Sequence, residues 1–239
     1  MSETLRMWIE VSFNVSYLVV VWGLVIAMVS RRSAVEPVNR PVAARVLWAF
    51  ALLALGDTGH VGFRVLAYAL GGLEAHPTLV GMGALATAIT VTFFYVLVLD
   101  VWRLRFNKKL GGLEYLLLAA AVVRLGMMAL PANEWGRVEP PLPWGIYRNI
   151  PLMVQGLGVM FLILRDARAA QDRTFGWIGA MILVSYTFYT PVILFVSRAP
   201  LLGMLMIPKT MAYVAIAIIA YRDLYTRRMA HTARTAGAV

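Results

Sequence analysis

Cysteine is absent, histidine occurs only three times, and charged residues make up only 14% of the 239 positions. Without cysteine there is no disulfide, no thiolate metal site and no cysteine nucleophile. His60, His76 and His231 are far apart, and His231 falls in a polar tail, so no histidine zinc or haem site is expected and no metal is assigned. An ordinary globular domain is roughly a quarter charged, so this sparseness already argues against a soluble chain. It also argues against disorder, which needs high charge and low hydrophobicity.

What the chain has instead is apolar sequence. Hydrophobic residues make up 61% of it, and the mean hydropathy is +0.74. Runs of about 20 apolar residues are long enough to cross a bilayer as helices. Seven are found, at about 7–29, 46–70, 78–104, 112–131, 149–167, 175–197 and 200–222. The expected fold is therefore all-α: a single seven-helix transmembrane domain over residues 1–239, with no soluble domain and no internal repeat. Only Arg6 precedes the first run, with no small-residue cleavage site after it, so that run is expected to be a retained helix.

The 22 lysines and arginines outnumber the 12 acids, giving a net charge of +10. In a soluble protein that excess would suggest nucleic acid, but here topology uses it. Fifteen of the bases fall on one side of the spans, four on the other and three inside them. Basic loops stay in the cytoplasm, so the N-terminus is expected outside and the C-terminus inside, with no nucleic-acid partner. The longest outer connection, Pro131 to Asn149, carries Pro131, Pro140, Pro141 and Pro143 with Trp135 and Trp144. It reads as an ordered cap at the headgroup level, where tryptophan is favoured.

Ionisable side chains inside spans are costly and generally mark function. Arg64, Arg124 and Lys209 are the bases at such positions, and Asp57 is the acid, with His60 nearby. At about 100° per residue, Asp57, His60 and Arg64 share one stripe of the second span. Asp57 and Arg64 are seven residues apart, a long reach for a direct pair, so each is expected to find a partner on another helix. Gly56, Gly59 and Gly62 on the same helix should admit a close neighbour. Asn14 and Glu10 of the first span, Arg148 and Asn149 at the head of the fifth, and Tyr213 one turn beyond Lys209 belong to the same outer half. Asn133 and Glu134 lie in the adjoining loop. Pro208 is expected to kink the last span beside Lys209. Thr87, Thr90 and Thr92 read as helix-packing groups, Asp100 as a local partner of Arg103 or Arg105, and Tyr186, Phe188 and Tyr189 as core or pocket wall.

Together these residues suggest one outward-facing cavity with surplus positive charge. Glu10, Glu134 or a bound anion would have to supply the missing negative charge. The first expectation is a protein that binds or transports an anionic small molecule or lipid headgroup on Arg64, Arg124, Arg148, Asn149, Lys209, Tyr213 and Asn14. The second is an intramembrane enzyme acting on a lipid or isoprenoid, with Asp57 and His60 as its acid–base pair.

The strings Leu55-Gly56-Asp57-(x2)-His60-(x3)-Arg64, Pro131-Ala132-Asn133-Glu134-Trp135, Tyr147-Arg148-Asn149-Ile150-Pro151 and Ile207-Pro208-Lys209-Thr210 resemble a family of bacterial seven-span membrane proteins. The resemblance implies a bacterial cytoplasmic membrane and brings no activity with it. The chain is also similar to microbial rhodopsins in length, span number, orientation and a lysine in the last span. That similarity implies retinal on Lys209, with Asp100 in the place of the cytoplasmic carboxylate. The chain departs from the rhodopsin pattern in having no mid-membrane acid in span three, so Asp57 would have to serve as counterion. It also lacks mid-span tryptophans in spans three, five and six, and has Pro208 before the lysine.

Overall fold

Helix boundaries follow the prolines, glycines and caps. The computed structural model describes residues 3–138 and 141–226. Pro140, Arg227, Arg228, His231, Arg234 and the side chain of Arg6 lie outside that description. Eight α-helices are described: α1 (Glu3–Ser30), α2 (Arg40–Ala69), α3 (Pro77–Arg105), α4 (Gly112–Ala129), α5 (Leu142–Tyr147), α6 (Ile150–Ala169), α7 (Arg173–Phe195) and α8 (Met206–Tyr221). Prolines occupy the first turns of α2, α3, α5 and α6, where the missing N–H costs nothing. The turn after α2 uses Gly71 and Gly72 at φ near +118° and +119°, a region L-residues avoid. Asp172 caps α7 by accepting from the Phe175 N–H at 3.1 Å.

Seven helical segments are long and apolar enough to cross a membrane. Among the described residues there is no strand, and the fold is an all-α seven-helix bundle. Val19, Leu55, Val122, Phe161 and Trp177 are all more than half exposed on the bundle surface. So much apolar surface is covered in a bilayer and not in water. The chain is a multi-pass membrane protein.

Several boundaries differ from the hydropathy reading, each for a physical reason. Helix α2 begins at Arg40, not at 46, because a backbone ladder continues past the apolar window into residues that bear charge. Helix α4 stops at Ala129 because Leu130, before Pro131, is extended at φ −72°, ψ 135°, outside the helical region. The fifth crossing starts earlier, at Leu142, through short α5 and a break at Arg148 and Asn149. The seventh has three parts: a 3-10 stretch at Pro200–Leu205, α8, and a π turn at Arg222–Thr226. Pro208 does not kink α8. It sits in the first turn, where no intrahelical donor is needed, and the irregularity lies before it.

Helices α2 and α3 approach closely. A Cβ on Gly56 would strike the Thr90 side chain, one on Gly59 would come within 3.2 Å of Ala86 Cβ, and one on Gly83 within 3.0 Å of the His60 backbone. Gly62 differs from expectation: nothing lies within 4 Å of its Cβ position. Phe50, Phe94, Tyr95, Trp102, Leu162 and Ile182 fill the half of the bundle nearer the basic loops.

That end is also held by ion pairs. Asp100 binds Arg103 at 2.6 Å, as expected, and also Arg45 of α2 at 2.8 Å. Arg105 pairs instead with Asp172, at 2.8 Å. Asp166, only 6% exposed, accepts from Trp102 Nε1 at 2.8 Å and pairs with Arg165 and Lys108. Asp166→Ala leaves the buried indole N–H of Trp102 without its acceptor. We expect a loss of about 2 kcal/mol, read from thermal melting in detergent.

Candidate functional site

The half of the bundle away from the basic loops is hollow. A cavity of about 420 Å³ lies between α1, α2, α3, α7 and α8, with α4 and α6 contributing to its wall. That size is typical of small-molecule sites. Asn14, Asp57, His60, Arg64, Arg124, Arg148, Asn149, Lys209 and Tyr213 all line it. The stripe periodicity explains the convergence: Asp57, His60 and Arg64 recur at helical spacing on α2, as Lys209 and Tyr213 do on α8.

One wall is carboxylate-bearing. Asp57 accepts from the Tyr17 hydroxyl of α1 at 2.7 Å and from the Thr87 hydroxyl of α3 at 2.6 Å. Arg64 pairs with Glu10 of α1 at 2.8 Å. Asp57 and Arg64 thus each find a partner on another helix. His60 lies between them in sequence; its Nδ1 is buried and has no partner among the described residues. Among these residues no hydrogen bond joins His60 to Asp57, whose two oxygens are taken by hydroxyls. Tyr17→Phe leaves the carboxylate with one acceptor unused and removes one of the polar ties between α1 and α2, the Arg64–Glu10 pair and the Trp22–Thr58 bond remaining. The expected cost is about 1 kcal/mol, measured by thermal melting.

The opposite wall is cationic. Arg124 is 2% exposed. Its Nε donates to the Arg148 carbonyl at 3.1 Å and its Nη1 to the Thr92 hydroxyl at 2.7 Å. Thr92 is thus a seat for the guanidinium as well as a helix-packing residue. Arg148, half-buried, turns back against the cap. Its guanidinium lies 4.3 Å over the Trp135 ring and donates to Asn133 at 3.4 Å. Asn133 is itself fixed by bonds to the carbonyls of Met127 and Leu130, and Trp135 by a bond to the Met128 carbonyl. Among the described residues of the connection after α4, Asn133 and Trp135 are thus fixed to that helix end and hold a cavity base in place. Glu134 turns to Arg137 and adds no charge to the cavity.

Lys209 lies between these walls. Its Nζ is 5.0 Å from the centre of the Tyr189 ring and 5.2 Å from that of Tyr213. The Tyr189 hydroxyl donates to Asn149 Oδ1 at 3.1 Å, so this one ring connects the lysine to the arginine wall. The floor is tyrosine: the hydroxyls of Tyr213 and Tyr95 lie 2.8 Å apart, and Tyr186 donates to the Leu152 carbonyl at 2.9 Å.

Four bases therefore face two carboxylates, Glu10 and Asp57. Glu10 is taken by Arg64. Among the described residues, Arg124, Arg148 and Lys209 have no carboxylate within 4.0 Å.

Tyr17, Thr87, Ser185, Tyr186 and Tyr189 also line the cavity. Tyr186 and Tyr189, expected as core or pocket wall, do line it, whereas Phe188 does not; Tyr17 is not among the expected residues, though Glu10, Asn14 and Tyr17 recur at helical spacing on α1. No protein-family model, curated protein or solved structure matches this chain.

Proposed function

We propose that the protein sits in a cytoplasmic membrane with this cavity facing outward and there binds an anionic small molecule or lipid headgroup. The observation that carries the reading is the cationic wall: three bases, one of them almost wholly buried, converge on a cavity without a carboxylate partner. A buried charge in that state calls for a counter-charge. The loop asymmetry supports an outward-facing hollow half.

The roles divide by rigidity. Arg124 is the fixed anchor, clamped between Thr92 and the Arg148 carbonyl. Arg148 and Lys209 rest on aromatic faces, contacts they exchange readily for an anion. Asp57 and His60, across the cavity, are the groups suited to couple proton movement to ligand entry. Beneath the tyrosine floor the core is filled by Phe94 and Trp102. Transport would therefore require a second arrangement of the helices.

The test is thermal melting of the detergent-purified protein against an added anionic probe, hexyl phosphate, compared with Arg148→Gln. The probe should raise the melting temperature of the parent, and Arg148→Gln should need roughly ten times more of it for the same shift. An identical dose response in the two proteins contradicts the assignment. Arg148 is a better first target than Arg124, because Arg124 also ties α3 and α4 to the head of α6.

A further inference from the structure

We infer that the anion is a phosphate monoester carrying a hydrocarbon tail. The inference rests on the anion-binding reading above and narrows it by charge, by unspent donors and by the character of the walls. The four cavity bases exceed the two carboxylates by two positive charges. A carboxylate, a sulfate ester or a phosphodiester would return only one. A phosphate monoester, with a second pKa of about 6, returns nearly two at neutral pH.

Hydrogen bonding points the same way. Arg124 spends Nε and Nη1 on protein oxygens, and its Nη2 has no partner among the described residues. Arg148 spends only Nη1, in a 3.4 Å bond. The Lys209 ammonium rests on two rings and donates to no protein oxygen among those described. Three cations thus keep donors free around one space, and Tyr189 holds the lysine and the arginine wall in one cluster. Three terminal oxygens on a tetrahedral centre match three converging cations better than the two oxygens of a planar carboxylate.

The remaining wall is apolar. Ile9 and Phe13 of α1 face the cavity, as do Met206 and Ile207 where the 3-10 stretch becomes α8. Ile9 is also 36% exposed at the bundle surface, so this wall runs outward to where lipid lies. The charged group belongs against α4, α6 and α8, and the tail between α1 and α8.

The experiment is calorimetric titration of the full-length protein in a neutral detergent at pH 8 with hexyl phosphate, hexyl sulfate and inorganic phosphate. Hexyl sulfate has the same tail and a tetrahedral head with a single charge. We expect hexyl phosphate to bind roughly ten-fold tighter than hexyl sulfate, and also tighter than inorganic phosphate. Lys209→Met should remove the preference for phosphate over sulfate while retaining sulfate binding, with its melting curve confirming that it folds. Equal affinity for hexyl phosphate and hexyl sulfate overturns the dianion and leaves the anion reading standing. Equal affinity for hexyl phosphate and inorganic phosphate overturns the tail and identifies a free phosphate. No binding of any of the three overturns this inference and the anion reading together.

Discussion

Lys209→Met is expected to melt higher than the parent protein when no ligand is present, and to lose most of the stabilisation that hexyl phosphate confers. The two effects share one cause. In the empty protein the ammonium is half-buried among Tyr189, Tyr213 and the cationic wall, with no carboxylate partner among the described residues. Holding an unpaired cation there costs free energy, reduced by whatever water the cavity admits. Methionine fills much of the same volume and keeps contact with both rings. We expect a gain of about 1–2 kcal/mol without ligand, the stability–function trade-off found at binding sites. A ligand that binds only the folded state stabilises it by mass action, so losing affinity shrinks that shift. Melting curves with and without probe read both effects. A variant that melts lower and keeps its full ligand shift would mean that the lysine is a structural strut.

Gly81→Ala is expected to be the most damaging single-methyl change in the molecule. A Cβ at this position would collide with the backbone carbonyl of Trp135. A flexible side chain could swing away, but a carbonyl moves only with its loop. Lifting the loop strains the Trp135–Met128 bond and the stack of Arg148 on Trp135. Overpacking of this kind costs about 2 kcal/mol, and the loss should extend to anion binding because Arg148 loses its seat. Gly62→Ala is the control. Nothing lies within 4 Å of its Cβ position, and alanine suits a helix better than glycine, so no loss is expected. Paired melting and titration of the two variants check this; equal stability would separate the cap from the bundle.

How far the sequence carried the reading depended on the physics behind each feature. Hydropathy located every crossing, because a helix that spans lipid has to be apolar over a fixed length. It misplaced the ends, because backbone hydrogen bonding does not stop where hydropathy does: Arg40 and Arg45 are helical at the head of α2. It could not foresee the 3-10 entry to α8 at Pro200–Leu205, because apolar period alone does not distinguish a 3-10 stretch from an α-helical one. The cavity's charged residues were legible because charge inside a span is costly and therefore conspicuous. Their partners were less so. Tyrosine and threonine are common in membrane helices, and nothing in the local sequence says that Tyr17 and Thr87 will meet Asp57, or that Thr92 will seat Arg124. Those pairings are properties of helix packing. Nor did sequence show that the cap would reach back and hold Arg148 through Asn133 and Trp135.

The most direct test of the central claim, that the cationic cavity holds an anion, is native mass spectrometry of the detergent-purified protein with and without added hexyl phosphate. An adduct at the mass of one probe molecule is expected, or displacement of a co-purified anionic species by it, with occupancy sharply reduced in Arg148→Gln and Lys209→Met. An unliganded mass at every probe concentration, the same in parent and variants, would contradict the claim and would mean that the three bases are neutralised within the protein itself.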